Sequence, residues 1–267
     1  MNLRVLAICF VAAFAPAVAA QTMPAPRTDI AALRREAMSD RAVRVAIGDL
    51  SRSTEALIKD GRRDSAIILK ASRAKAGDRV LDIGSGNAYL ALLFSTLVGP
   101  NGHVDIHNTP SWVAQSRRLS ETVQRKWIKR PNVGWMMKSW NEVKAPDGTY
   151  DVVILGRIFH EILLEAGDVE LVRQNIFDML KPGGYVLIED HDIDPATPIQ
   201  KQVFLHRVSH QYTAEQFMAA GFDMTELILF ESALDDQRFN VTWPTVRGRT
   251  SHYIAVFQKP LDQPAAQ

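Results

Sequence analysis

The stretch that most constrains the fold runs from Val80 to Ala88 and reads V-L-D-I-G-S-G-N-A. Apolar strand residues there surround Asp82 and lead into two closely spaced glycines, Gly84 and Gly86, and the next segment, residues 89–98, has the apolar content of a helix. Because glycine has no Cβ, it takes backbone angles that other residues avoid and lets a ligand lie against the main chain. A strand, a glycine turn and a helix in this order predict a nucleotide-binding turn in an α/β fold.

The spacing of the glycines separates two classes of nucleotide. The dinucleotide pattern is G-x-G-x-x-G, and counting from Gly84 places Tyr89 at its third glycine, which disfavours a nicotinamide oxidoreductase. Asp82 stands two residues before Gly84. An acid followed by G-x-G at this distance resembles motif I of class I S-adenosylmethionine (SAM) methyltransferases, D-x-G-x-G-x-G, with Ala88 in place of the last glycine.

Strand-like and helix-like patterns alternate along the chain, which predicts a mostly parallel sheet. Two or three helices are expected between Asp29 and Lys75, ahead of the first strand. The segment from Leu180 to Gly184, L-K-P-G-G, is expected to end a helix and turn into a strand, since proline cannot continue a helix. Strands are predicted at residues 79–83, 104–107, 133–137, 151–155 and 185–189, helices at 89–98, 111–129, 169–180 and 213–220, and a final antiparallel pair at 225–230 and 252–258.

The 267 residues and 46% hydrophobic content suit a single large α/β domain. The formal net charge of +1 gives no indication of a nucleic-acid or anionic-membrane surface, so a small molecule is the preferred partner and no nucleic acid is expected. We divide the chain into a signal peptide at 1–20, a flexible lead-in and N-terminal helices at 21–75, the main domain at 76–260 and a flexible tail at 261–267.

The first twenty residues predict a cleaved signal peptide. Arg4 precedes an apolar run, and small residues at 17–20 suit signal peptidase. A periplasmic or secreted protein with no integral membrane segment after cleavage is therefore expected, because the apolar run is about half of the ~20 residues that span a bilayer. The single cysteine, Cys9, lies in this leader, so the mature chain has no disulfide, thiol nucleophile or zinc-thiolate site.

From about Ala76 to Gln258 the chain resembles class I SAM methyltransferases, and in particular a group of exported bacterial "predicted methyltransferases". The resemblance rests on motif I and on further short motifs in matching order, I-H-N-T-P at 106–110, F-H-E at 159–161, E-D-H at 189–191, L-H-R-V at 205–208 and R-G-R-T at 247–250. It implies a Rossmann-like class I methyltransferase fold, a mostly parallel seven-stranded sheet with helices on both faces, and an N-terminal helical extension. It also implies S-adenosyl-L-methionine as the cofactor and does not identify the methyl acceptor.

The resemblance assigns six residues to cofactor binding, Asp82, Gly84, Gly86, Asn108, Ser139 and Trp140. The turn lies under the methionine end of SAM, and Asp82 can equally cap the turn. Asn108 stands where such enzymes usually have an acid that accepts from both ribose hydroxyls, and an amide has one acceptor oxygen. Ser139 replaces the usual adenine-binding aspartate, while the ring of Trp140 can stack on adenine instead. These replacements predict weaker SAM binding.

The candidates for chemistry follow the fourth and fifth predicted strands. His160 is expected to take a proton from the acceptor, since its unperturbed pKa of ~6.5 suits a general base, or else to bond a neighbouring loop. Asp190 and His191 are further catalytic candidates, the alternative being a polar strand end that meets solvent. Glu161, His206 and Arg207 are candidates for acceptor binding, with Arg207 clamping an anion or lying on a solvated face. No metal site is predicted.

These residues predict a SAM-dependent methyltransferase that acts on a small molecule. SAM is made in the cytosol, so an exported enzyme would need its cofactor delivered across a membrane or bound before export. This favours one alternative, an exported binding protein without catalysis that keeps the fold and a pocket for a nucleoside-like ligand.

Overall fold

The computed structural model describes residues 22–60 and 63–261, so the predicted signal peptide lies outside the described residues. Seven strands form one sheet, β1 Arg79–Ile83, β2 His103–Asn108, β3 Val133–Met137, β4 Tyr150–Gly156, β5 Leu180–His191, β6 Asp223–Phe230 and β7 His252–Gln258. Their order across the sheet is β3-β2-β1-β4-β5-β7-β6. The first five strands are parallel and β7 runs antiparallel to both of its neighbours. The predicted fold class is confirmed.

The helices lie on both faces of this sheet. They are α1 Ile30–Ser39, α2 Arg41–Ile47, α3 Thr54–Asp60, α4 Ser65–Ala71, α5 Tyr89–Val98, α6 Pro110–Gln115, α7 Glu121–Trp127, α8 Phe159–Glu165, α9 Val169–Met179, α10 Ile199–Phe204 and α11 His210–Ala219. Successive strand residues point to opposite faces. Thus Val80 packs with α1 to α5 in one core, and Leu81 packs with α8, α9 and α11 in the other.

Within the described residues, four helices precede β1 where two or three were expected. Two predicted segments also take a different form in the structure. The helix predicted at 111–129 is broken into α6 and α7, because Ser120 is extended and its side chain caps α7 by accepting from the Val123 N–H. The L-K-P-G-G segment belongs to β5 instead of forming a separate turn. Tyr150 pairs with Leu180 and Val152 with Tyr185, so the extra residues form a bulge.

The N-terminal segment is fastened to the main domain at both ends of its helices. Arg27, expected in a flexible lead-in, exchanges backbone hydrogen bonds of 2.8 and 3.1 Å with Leu227 and Leu229 of β6. At the other end, Asp60 accepts from Arg52 at 2.7 Å and from the Tyr89 hydroxyl at 2.6 Å, which ties α3 to the start of α5. The N-terminal helices therefore lie next to the glycine turn. Among residues 22–60 and 63–261, no helix has the length and apolar character that crossing a bilayer requires.

Candidate functional site

Asp82 organises the turn between β1 and α5. It is buried, and its Oδ2 accepts from the Ser85 hydroxyl at 2.6 Å and from the Ala91 N–H at 3.0 Å. Burial raises its pKa to about 6, against the opposing effects of the Ser85 bond, Arg63 and the Ala91 bond. These contacts show that Asp82 caps the turn and the first turn of α5, and its predicted part in cofactor binding stays a prediction.

The two glycines of the turn have different surroundings. Both have positive φ angles, +64° at Gly84 and +57° at Gly86. A Cβ at Gly84 would lie 2.2 Å from Ile158, the residue before α8, whereas nothing lies within 4 Å of a Cβ at Gly86. Gly84 therefore lets the start of α8 pack against the turn, and Gly86 leaves open space against its main chain. That open space is the cradle that a nucleoside ligand of this fold requires.

Asn108 faces the turn and not a ligand. Its Oδ1 accepts from the Gly86 N–H at 2.9 Å, and its Nδ2 donates to the carbonyls of Gly86 at 3.1 Å and Leu119 at 3.3 Å. The side chain is fully buried. The polar atoms of Asn108 therefore hold the turn in place, and its predicted contact with the ribose stays a prediction.

His107 supports the turn from the same strand. The Gly84 N–H donates to its Nδ1 at 3.2 Å, so Nε2 carries the proton and donates to the Lys138 carbonyl at 2.9 Å. Burial lowers the pKa of His107 to about 4, which keeps the ring neutral. No role was predicted for His107, since its partners Gly84 and Lys138 lie on other segments.

Ser139 and Trp140 line a cleft of about 440 Å³ beyond the ends of β2 and β3. The Ser139 hydroxyl donates to Glu142 at 2.7 Å. Trp140 is nearly fully buried, donates from Nε1 to Glu165 at 3.0 Å and packs edge-on against Trp112 at 5.3 Å between ring centroids. The predicted adenine contacts of Ser139 and Trp140 stay predictions. The ring of Trp140 is packed into the wall of the cleft, which leaves little of its face exposed for stacking.

His160 and Asp190 form a buried pair at the carboxyl ends of β4 and β5. His160 lies in the first turn of α8, and its Nδ1 is 2.7 Å from Asp190 Oδ1. Asp190 also accepts from the backbone N–H groups of His160 at 3.1 Å and His191 at 2.8 Å. Burial lowers the pKa of His160, but the charges and hydrogen bonds of Asp190 and Glu161 outweigh it and raise the pKa to about 9. Asp190 thus orients His160, leaving Nε2 as the atom that can exchange a proton.

Glu161 bridges two histidines. Its Oε1 is 2.7 Å from His206 Nδ1 and 3.4 Å from His160 Nε2. Burial raises the pKa of Glu161, but the bonds to both histidines lower it overall to about 2, so it is a carboxylate at neutral pH. In the described part of the chain, the donor atoms of His160, Glu161 and His206 lie within 4.8 Å of one another. Two imidazoles and a carboxylate are ligands suited to a divalent transition metal.

His191 and Arg207 are both buried and bonded to other side chains of the protein. His191 bonds the Thr250 hydroxyl at 2.8 Å, and burial, with Arg157 and His160 nearby, lowers its pKa well below the usual value. Arg207 is fully buried and forms a bidentate pair with Asp235 at 2.9 and 2.6 Å. The guanidinium of Arg207 is therefore enclosed and already paired, and its predicted contact with an anionic acceptor stays a prediction.

A second set of charged residues was missed. Glu189, on β5, is buried and pairs with both Arg63 and Arg157. Although burial opposes it, the two arginines hold the pKa of Glu189 well below its ordinary value. The sequence offered one signal for this set, the basic residue Arg157 directly after the apolar β4 strand. The other partner of Glu189, Arg63, is 126 positions away in the chain and could not be identified from sequence.

Comparisons with known proteins agree with this fold. A family described as a methyltransferase domain matches residues 74–242. The ubiquinone/menaquinone biosynthesis C-methyltransferase UbiE of Vibrio campbellii is 29% identical over 133 residues, which are 49% of this chain and 48% of that protein. Protein-L-isoaspartate O-methyltransferase 1 of Arabidopsis thaliana is 28% identical over 43% of this chain and 46% of its own. The chain thus spans about half the length of these curated relatives.

The fold is shared with solved structures. A SAM dependent methyltransferase from Aquifex aeolicus superimposes with a TM-score of 0.52, at 17% identity, over 87% of this chain and all of that one. At this level of identity the likeness shows the common fold.

Proposed function

This chain belongs to the methyltransferase domain family, and we propose that it is a SAM-dependent methyltransferase acting on a small-molecule acceptor. One observation carries the proposal. The turn that leaves open space at Gly86 is packed through Gly84 against Ile158, two residues before His160. The nucleotide turn and a buried base are therefore parts of one packed unit.

The relatives do not identify the atom of the acceptor that is methylated. The Vibrio relative is named a C-methyltransferase of quinone biosynthesis and the Arabidopsis relative an O-methyltransferase of protein isoaspartate. Because they differ in both acceptor and atom, we extend neither substrate to this chain. A small molecule is favoured by the enclosed position of the His160 and Asp190 pair.

The roles of the chain's own residues follow from their contacts. Asp82 and Asn108 hold the turn, and the main chain at Gly86 provides the surface for the cofactor. When bound, SAM supplies a methyl group on an electrophilic sulfonium centre. His160 Nε2 removes the proton from the acceptor, while Asp190 holds the opposite side of the ring and stabilises the imidazolium that forms. This pair favours catalysis over the alternative of a binding protein without turnover.

Cofactor binding is tested by calorimetry with SAM and S-adenosylhomocysteine (SAH). We expect both to bind the protein, and we expect Gly86→Val to weaken binding at least tenfold because the side chain fills the open space and is strained at positive φ. Gly148→Val is the matched control, since Gly148 also has positive φ and open space around it but lies away from the turn. Absence of binding at millimolar ligand, or equal losses in both variants, would contradict the proposal.

The pKa of His160 predicts how the rate depends on pH. A base must be neutral to accept a proton, and the pKa of about 9 keeps His160 protonated at neutral pH. We therefore expect kcat/KM to rise roughly tenfold between pH 7 and pH 8 and to level off above pH 9. Asp190→Asn removes the charge that raises this pKa, so the plateau should begin at lower pH. A profile that is flat or falls over this range would remove His160 from the role of base.

Export from the cytosol is part of the proposal, as is membership of the exported bacterial group. It is supported by the basic, apolar and small-residue segments of residues 1–20. N-terminal sequencing of the protein from a secreting host should begin at Gln21, and an intact Met1 in the mature fraction would argue against export.

A further inference from the structure

A basic cleft of about 780 Å³ is lined in part by Arg63, whose guanidinium lies 5.5 Å from the ring of Tyr89, the first residue of α5. Five of the seven residues that line it are basic, Lys59, Arg63, Arg157, Arg247 and Arg249. The chain as a whole is nearly neutral, with 31 basic and 30 acidic residues. The cleft is therefore a local concentration of positive charge that net charge alone did not reveal.

The positive charges of the cleft are only partly neutralised. Glu189 is shared between Arg63 and Arg157. Arg247 and Arg249 are exposed, and within residues 22–60 and 63–261 neither forms an ion pair with a carboxylate. Among the described residues, Lys59 forms an ion pair with Glu55, an exposed residue of the same helix, at 3.5 Å. At least two guanidinium groups are thus available to a ligand.

The inner wall of the cleft adjoins the place where methyl transfer is proposed. A Cβ at Gly156, the last residue of β4, would lie 3.0 Å from an Arg63 nitrogen and 2.5 Å from Leu90 in the first turn of α5. Arg157 follows directly, with a φ of +59° that is strained for a residue with a Cβ. Its Nε donates to Glu189 at 2.9 Å. Arg157 is therefore held at this edge of the sheet by its buried partner.

Guanidinium groups recognise carboxylates and phosphates with two parallel hydrogen bonds. A cleft of this size suits a drug-sized ligand. We propose that the cleft binds the methyl acceptor and that this acceptor is an anionic small molecule carrying phosphate or carboxylate groups. This inference rests on the proposed function and specifies its substrate class.

The test uses pyrophosphate and citrate as probes, titrated calorimetrically at low salt into the full mature protein, with and without saturating SAH. The double variant Arg247→Ala/Arg249→Ala should bind the preferred probe at least tenfold more weakly, while its affinity for SAH changes less than twofold. The control is Arg35→Ala/Arg41→Ala, which removes the same charge from exposed positions of α1 and α2. The stronger probe shows whether phosphate or carboxylate is preferred.

Each outcome is decisive. Equal losses in the two double variants would mean that overall charge governs binding, and the proposal would fail. A loss of SAH affinity that matches the loss of anion affinity would assign the arginines to the cofactor's own carboxylate and overturn the proposal. Failure of SAH to bind the unchanged protein counts against the proposed function, and the titrations without SAH still test the cleft separately.

Discussion

His160→Ala is expected to lower turnover by about 10²- to 10⁴-fold, the usual contribution of a positioned general base. The reason is that Nε2 of His160 is the proton-exchanging atom of a buried pair whose other nitrogen is fixed 2.7 Å from Asp190. The affinity for SAH should change less than twofold, because the ring does not line the glycine turn. Turnover is measured as SAH release with a small-molecule extract that supports activity of the unchanged protein.

His210→Ala provides the matched control. His210 pairs with Asp192 at 2.9 Å, much as His160 pairs with Asp190, but it begins α11 and lies outside the proposed reaction site. Its loss should leave turnover within a few-fold of normal. Retained turnover in His160→Ala would remove the base from the mechanism, and a loss of SAH affinity there would place His160 in the cofactor half of the site.

Much of the fold was predictable because local patterns determine it. The strands Arg79–Ile83 and His252–Gln258 were predicted at their observed bounds, because both of their faces are buried and their apolar residues form a nearly continuous run. The Asp82 turn was also predictable from a local pattern, because its acid and its glycines lie within a few residues of one another. The short helices α8 and α10 were missed because six or seven residues give too little periodicity.

The site was less predictable because its partners are distant in sequence. Asn108 was assigned to a ribose from its position after a strand, but its amide fits the backbone of Gly86, 22 residues away. Arg207 was assigned to an acceptor, but Asp235 encloses it from a segment with no regular structure. Sequence identifies which residue types gather at the sheet edge, and only packing decides which of them face one another.

The enclosed pair of Arg207 and Asp235 should make a large contribution to stability. Asp235→Ala removes one partner and leaves a guanidinium that is 0% exposed, so we expect the free energy of unfolding to fall by about 3–5 kcal/mol, measured by urea denaturation. Its neighbour gives the control, since Asp236 pairs with Arg238 on the surface and Asp236→Ala should leave the urea midpoint unchanged. The double variant Arg207→Met/Asp235→Leu should recover much of the loss, because it removes both charges together. If Asp235→Ala is as stable as the unchanged protein, the guanidinium of Arg207 has reached solvent, and the predicted contact of Arg207 with an anionic acceptor gains support.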